Sequence, residues 1–299
     1  MRSFPADPEP AASEPAGPEP AAPVGRRSSP AGRRVAAAAL AAASILLVSC
    51  GGSSSGTNAA AAASGATSAG HGQPAISGTI TVFAAASLTE TFTTLGKRFE
   101  AAHPGTKVTL SFGSSATLAQ QITQGAPADV FAAASKKTMQ QAVDAGAIRS
   151  PKTFATNTME IAVPPGNPAH VAGLADLGRS GVKVVLCQPQ VPCGAAAAAV
   201  FAKAKLTVHP ASLEADVKAT LTKVTLDEAD AGVVYVTDVK AAGKKVTGIL
   251  IPAAQNSSTV YPIGTVGGSR NAATAVAFVN YVLSDEGASV FAAAGFGTP

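Results

Sequence analysis

The chain has 299 residues, with 22 basic and 18 acidic side chains, three cysteines and no tryptophan. Residues 1–49 carry five of the basic and four of the acidic groups, which leaves 17 against 14, about +3, on the remainder. With no basic run and no interleaving of basic with aromatic residues, this balance excludes a nucleic-acid-binding surface.

The first 34 residues are rich in Pro, Ala, Glu and Arg and cannot bury a core. Arg33-Arg34 then precedes an apolar, alanine-rich run of 15 residues, Val35–Ser49. A positive flank, an apolar run and a small residue at its end match a secretory signal. The run is shorter than the ~20 residues a membrane span needs; a signal-anchor helix is the alternative. Leu47-Val48-Ser49-Cys50 resembles a bacterial lipobox, which implies that Cys50 is acylated and begins the mature protein. Residues 51–75 are Gly, Ser, Ala and Thr in the main and suit a flexible tether. From Ile76 to Pro299 there remain 224 residues, enough for one large domain or two lobes of about 100 residues each.

In that body, short β-rich runs alternate with helical periodicity, which predicts an α/β fold with mainly parallel strands. Strands are expected at Thr79–Ala84, Lys107–Phe112, Asp129–Ala133, Glu160–Val163, Val182–Leu186, Val233–Val236, Val246–Ile251 and Tyr261–Val266. Helices are expected at Leu88–Ala102, with Phe92, Leu95 and Phe99 on one face, and at Ala116–Gln124 and Lys136–Ala145, the last capped by Ser135. Further helices are expected at Gly194–Ala204, Ala215–Val224 and Asn271–Ser284, with Val276, Phe278, Val279 and Val282 as the packing residues of the last. No EF-hand, P-loop or GxGxxG pattern is present.

If Cys50 is lipidated, Cys187 and Cys193 remain as a pair outside the cytoplasm. An even count in an oxidising compartment favours a disulfide; two buried thiols are the alternative. Cys-x5-Cys with no histidine nearby is a poor zinc pattern.

Four strand-to-helix turns place small or hydroxylic residues at a helix start: Ala84–Glu90, Phe112–Leu118, Val191–Ala195 and Glu214–Lys218. Free amides and the positive end of a helix dipole make such turns anion sites. Ser87-x-x-Glu90 also reads as a capping box, although a hydroxyl can accept from a helix amide and still donate its proton. Ser114 and Ser115 compete for one cap, which leaves one of them spare. Asp216 reads as a dipole partner at its helix start. Apart from Lys218 the motifs hold no cation. A fully deprotonated tetrahedral dianion needs only donors, whereas a protonated phosphate would also need an acceptor. A serine hydrolase built on Ser87 or Ser115 would need a base. The four histidines, His71, His103, His170 and His209, sit in the tether or in loop-like sequence, and no GxSxG elbow is present.

Thr81-Val82-Phe83-Ala84-Ala85-Ala86-Ser87-Leu88-Thr89-Glu90 resembles the opening strand and turn of the molybdate-binding proteins of ABC transporters. The resemblance continues through Ser111–Ala119, Gly125–Phe131, Val191-Pro192-Cys193-Gly194, Gly232-Val233-Val234-Tyr235 and the Phe278–Phe296 stretch, so it covers residues 77–299. It implies a periplasmic-binding-protein-like class II fold of two α/β lobes, each a mainly parallel sheet flanked by helices. Lobe 1 would comprise 77–158 and 260–299, and lobe 2 would comprise 159–259, with the chain crossing near Asn157–Ile161 and Ser257–Ile263. Residues 1–49 would be leader and signal, and 50–76 the lipidated cysteine and linker. By position, Ser87 and Ser115 would donate hydroxyl and amide hydrogens to molybdate or tungstate. Cys193 and Val217 would offer backbone amides and Tyr235 its phenol. Cys193 stands where the family commonly has alanine, a change that keeps the amide; a bridge to Cys187 would brace that loop. The implied protein is a monomeric, lipid-anchored receptor outside the cytoplasmic membrane. It would have no cofactor and no catalysis, and would serve an ABC permease and its ATPase. Receptors for sulfate or phosphate share this chemistry, and cavity size separates them. A regulator built on the same lobes would need a DNA-binding segment, which is missing.

Overall fold

Residues 76–299 are described by the computed structural model. The expected leader and signal sequence, the expected lipidation at Cys50 and the expected linker up to residue 75 lie outside the described residues. The strands are β1 (Gly78–Ala85), β2 (Thr106–Gly113), β3 (Val130–Ala132), β4 (Lys152–Val163), β5 (Val184–Cys187), β6 (Ser212–Glu214), β7 (Ala231–Tyr235), β8 (Thr247–Leu250) and β9 (Ser258–Thr265). The helices are α1 (Thr89–Ala102), α2 (Ser115–Thr123), α3 (Lys136–Asp144), α4 (Pro192–Ala204), α5 (Val217–Thr225), α6 (Val236–Ala242), α7 (Ala272–Val282) and α8 (Asp285–Ala294), and a 3₁₀ turn, Ala86–Leu88, precedes α1.

The strand order is β2-β1-β3-β9-β4-β7-β5-β6, with β8 also beside β4. β1 runs parallel to β2 and β3, and β5 parallel to β6 and β7, as the β–α alternation predicts. The sheet is nevertheless mixed, because β4, β8 and β9 pair antiparallel. β4 changes partners along its length: Lys152–Thr158 lie against β9, and Met159–Val163 lie against β7 and β8. The chain therefore passes from one half of the sheet to the other within a single strand.

Each half has its own apolar core. On one side, the helical spacing of Phe92, Leu95 and Phe99 turns one face of α1 onto β1, together with Phe154, Phe278 and Phe291. Phe92 packs against Phe154, Phe278 and Phe291 at centroid distances of 5.9–6.2 Å. Fully burying one such ring stabilises the fold by about 1.5–3 kcal/mol. On the other side, Met159, Ile161, Val184–Leu186, Val200, Val224 and Val233–Tyr235 form a second core. α7 buries Phe278, Val279 and Val282, but Val276 is 48% exposed, so it is not a packing residue. The capping box expected at Ser87-x-x-Glu90 is not formed. The 3₁₀ turn moves the N-cap of α1 to Leu88, and the Glu90 carboxylate bonds Lys218 instead. Ser135 does cap α3, accepting from Thr138 N–H at 3.2 Å.

Candidate anion-binding site

The helix starts of all four anion-type turns meet at one small cavity. Its wall comprises Ala85–Ser87, Gly113–Ser115, Ala134, Val191–Cys193, Asp216, Val217 and Tyr235. It encloses about 20 Å³, on a measure by which one water needs roughly 10–15 Å³. Only a ligand of a few heavy atoms fits. All five residues that the resemblance implies, Ser87, Ser115, Cys193, Val217 and Tyr235, lie on this wall, and all are buried.

The backbone supplies donors because helices start here. Ser115, Cys193 and Val217 are first-turn residues of α2, α4 and α5, where N–H groups have no intrahelical acceptor. Pro192 occupies the first position of α4, where it loses nothing by lacking an N–H. Gly194 lets this helix start sit against the end of β5, since a Cβ there would lie 2.0 Å from the Gln188 carbonyl oxygen. Cys193 is joined to Cys187 by a disulfide, with Cα atoms 5.8 Å apart, which ties the same helix start to β5. Asp216 caps α5: one carboxylate oxygen accepts from the Lys218 and Ala219 amides at 2.9 and 3.0 Å. The Val217 amide is not part of that cap.

The side-chain hydroxyls are also disposed to donate. Ser115 Oγ accepts from Ala134 N–H at 2.9 Å, so its own proton is free. Asn157 Oδ1 accepts from Thr158 N–H at 2.9 Å, which makes the amide nitrogen the donor to Thr237 Oγ1 and, at 3.4 Å, to Tyr261 Oη. Tyr261 is fully buried and its O–H has Ser87 Oγ, 3.0 Å away, as acceptor. With the phenol as donor, Ser87 keeps a proton for the cavity. Tyr235 Oη and Ser114 Oγ are buried on the cavity wall with no hydrogen-bond partner. Burial, reinforced by the neighbouring Tyr261 phenol and then by the charge on Asp238, holds the Tyr235 phenol well above its ordinary pKa, so it remains a donor. Leaving two buried hydroxyls unpaired costs about 1–3 kcal/mol each, and an acceptor in the cavity would relieve it.

No Lys, Arg or His lies on this wall. The ammonium of Lys218 is turned away to Glu90 and Asp238. Among the described residues no group of three or more His, Cys, Asp or Glu side chains is placed to hold a metal ion. The sequence leaves one of Ser114 and Ser115 spare without deciding between them, and the resemblance implies Ser115 as the donor. The orphaned hydroxyl marks Ser114 as a further donor, and its only signal in the chain is adjacency to Ser115.

A two-lobed α/β fold whose helix starts converge on a donor-lined cavity is that of a solute receptor. The family described as bacterial extracellular solute-binding protein matches residues 80–297, and the chain belongs to it. Members of this family bind solutes and are not enzymes. The molybdate-binding protein ModA of Mycobacterium tuberculosis H37Rv is 42% identical over 221 residues, spanning 74% of this chain and 85% of its own. The periplasmic molybdate-binding protein of Azotobacter vinelandii superposes with a TM-score of 0.66 at 22% identity, over 74% of this chain and 99% of that one. The sulfate-binding protein SubI of M. tuberculosis H37Rv gives the same TM-score at 21% identity, over 73% and 86%. Fold likeness at these identities does not separate the two anions.

Proposed function

We propose that the protein captures molybdate, and with it tungstate, as the free dianion in this cavity. One observation carries the reading: the wall presents donors, two of them buried hydroxyls without partners, and its single carboxylate is engaged in capping α5. A fully deprotonated tetrahedral oxyanion accepts at every oxygen, so neutral dipoles suffice to hold it. The 42% identical relative named for molybdate supports that choice of anion.

Ser87, Ser114, Ser115 and Tyr235 act through their hydroxyls, and Cys193 and Val217 through their amides. Residues 77–158 and 260–299 form one lobe and 159–259 the other, hinged at the partner change in β4 and closing on the anion. The chain is exported, held by lipid on Cys50 at the outer face of the cytoplasmic membrane. It works as a monomer that delivers its anion to an ABC permease driven by its ATPase. A ligand that binds only the folded state raises the melting temperature by mass action. Molybdate and tungstate are expected to do so in the purified protein. A rise with sulfate or phosphate and none with molybdate would overturn the choice of anion.

A further inference from the structure

Three charged residues sit just behind the cavity, each tied to a residue on its wall. Glu90 is in the first turn of α1, three residues after Ser87. Lys218 follows Val217 in α5. Asp238 follows Tyr235 by three residues and accepts the Tyr235 N–H at 3.2 Å. Lys218 Nζ lies 2.8 and 3.0 Å from the two Glu90 oxygens and 3.1 Å from Asp238 Oδ1. None of the three is on the cavity wall.

Their placement across the two cores is unequal. α5 packs on the core that holds Tyr235 through Val217, Leu221 and Val224, whereas α1 packs on the core that holds Phe92 and Phe99. Among the described residues, Glu90–Lys218 is the ion pair that joins a helix of one core to a helix of the other; the remaining five pairs each stay on one side. Asp238 is fully buried, and a buried charge that loses its partner is strongly destabilising. Lys218 therefore stays with Asp238 whether the lobes are together or apart. Glu90, whose side chain is 52% exposed, is the partner that water can replace.

We propose that Glu90 and Lys218 form a clasp across the cleft that holds the lobes shut and slows release of the anion without touching it. This rests on the closure described under Proposed function. Asp238 fixes the ammonium on one side and, through the Tyr235 amide, ties it to the element that presents the phenol. Glu90 is a positioning residue, and its charge makes the idea testable. If Glu90 acted only as a distant negative charge repelling the dianion, removing that charge would slow release. A clasp predicts the reverse.

The test measures the rate at which molybdate leaves the purified full-length protein, trapping the freed anion on an exchange resin and assaying the metal retained. Glu90→Gln is expected to speed release about threefold to tenfold, Glu90→Asp less, and Glu90→Lys more than either. Added sodium chloride should speed release from the unsubstituted protein and barely change it in Glu90→Gln. The half-exposed position makes all three variants tolerable to the fold, and their melting temperatures without anion should match the parent. Unchanged or slower release in Glu90→Gln and Glu90→Lys would overturn the clasp while leaving the receptor intact. Failure of the unsubstituted protein to retain molybdate would overturn the receptor reading itself.

Discussion

Tyr261 Oη stands 3.0 Å from Ser87 Oγ, across 174 residues of chain, so that a proton donated by the phenol leaves the serine's own free for the cavity. Tyr261 is not on the cavity wall. Its ring packs edge-on against Phe296, at a centroid distance of 5.3 Å, and Phe at 261 would keep that packing. Tyr261→Phe should therefore weaken molybdate binding by about 1 kcal/mol while leaving the fold in place. Calorimetry with a parallel melting curve checks this, and an unchanged affinity would contradict the relay from Asn157 through Tyr261 to Ser87.

The wall residues should separate by the atom they use. Ser87→Ala, Ser115→Ala and Tyr235→Phe each remove a hydroxyl and should cost roughly 1.5–3 kcal/mol of binding, the scale of a hydrogen bond to a charged group. Ser114→Ala should weaken binding and at the same time raise the melting temperature without anion, because it deletes a buried hydroxyl that has no partner. A Ser114→Ala protein that binds as tightly as its parent would remove Ser114 from the site.

On the proposed reading Cys193 acts only through its amide, so Cys193→Ala should cost far less binding than the hydroxyl variants. It does open the bridge to Cys187. The loop closed is short, with a sequence separation of 6, so the entropic model predicts a loss of only about 2 kcal/mol of stability. Denaturant melts of the oxidised and reduced protein measure that loss. Intact mass before and after alkylation without reductant tests for the bridge.

Asp238 should leave a mark on the pH dependence of stability. Burial, offset in part by the Lys218 ammonium, pushes its carboxyl from an ordinary 3.8 up to about 6. Between those two values the folded state holds a proton that the unfolded chain has released, so stability falls as pH rises through this window. The penalty is complete above pH about 6 and absent below about 3.8. A shift of that size corresponds to about 3 kcal/mol. Asp238→Asn should flatten this part of the profile relative to the parent, as denaturant melts between pH 4 and 7 would reveal. A parallel profile would contradict the burial argument.

Much of the site was legible because its donors are positional. A helix start following a strand can be read from Ala84–Ser87 or Val191–Gly194 without knowing the partner strands, and backbone amides come with it. What depended on tertiary contacts was not legible. Lys152–Asn157 extend β4 well before Glu160, because pairing with β9 stabilises a stretch interrupted by Thr and Asn. α6 and α8 were missed. α6 is seven residues long and follows a tyrosine N-cap whose own side chain does not cap, with Asp238 reaching back to the Tyr235 N–H, and α8 follows α7 after only a two-residue break. Ser87 looked like a cap because Glu90 has the right spacing, but Lys218, 128 residues away, is the stronger partner for that carboxylate. Ser114 could not be told from Ser115, since only the Ala134 amide distinguishes them.

The proposed receptor binds one fully deprotonated tetrahedral anion per chain in the cavity between its lobes, and that anion is molybdate. Titration calorimetry of the purified protein with molybdate at neutral pH tests this most directly. The expected result is a single site per chain, competition by tungstate, and weaker or absent heats with sulfate and phosphate. A flat molybdate titration alongside saturable binding of sulfate or phosphate would contradict it.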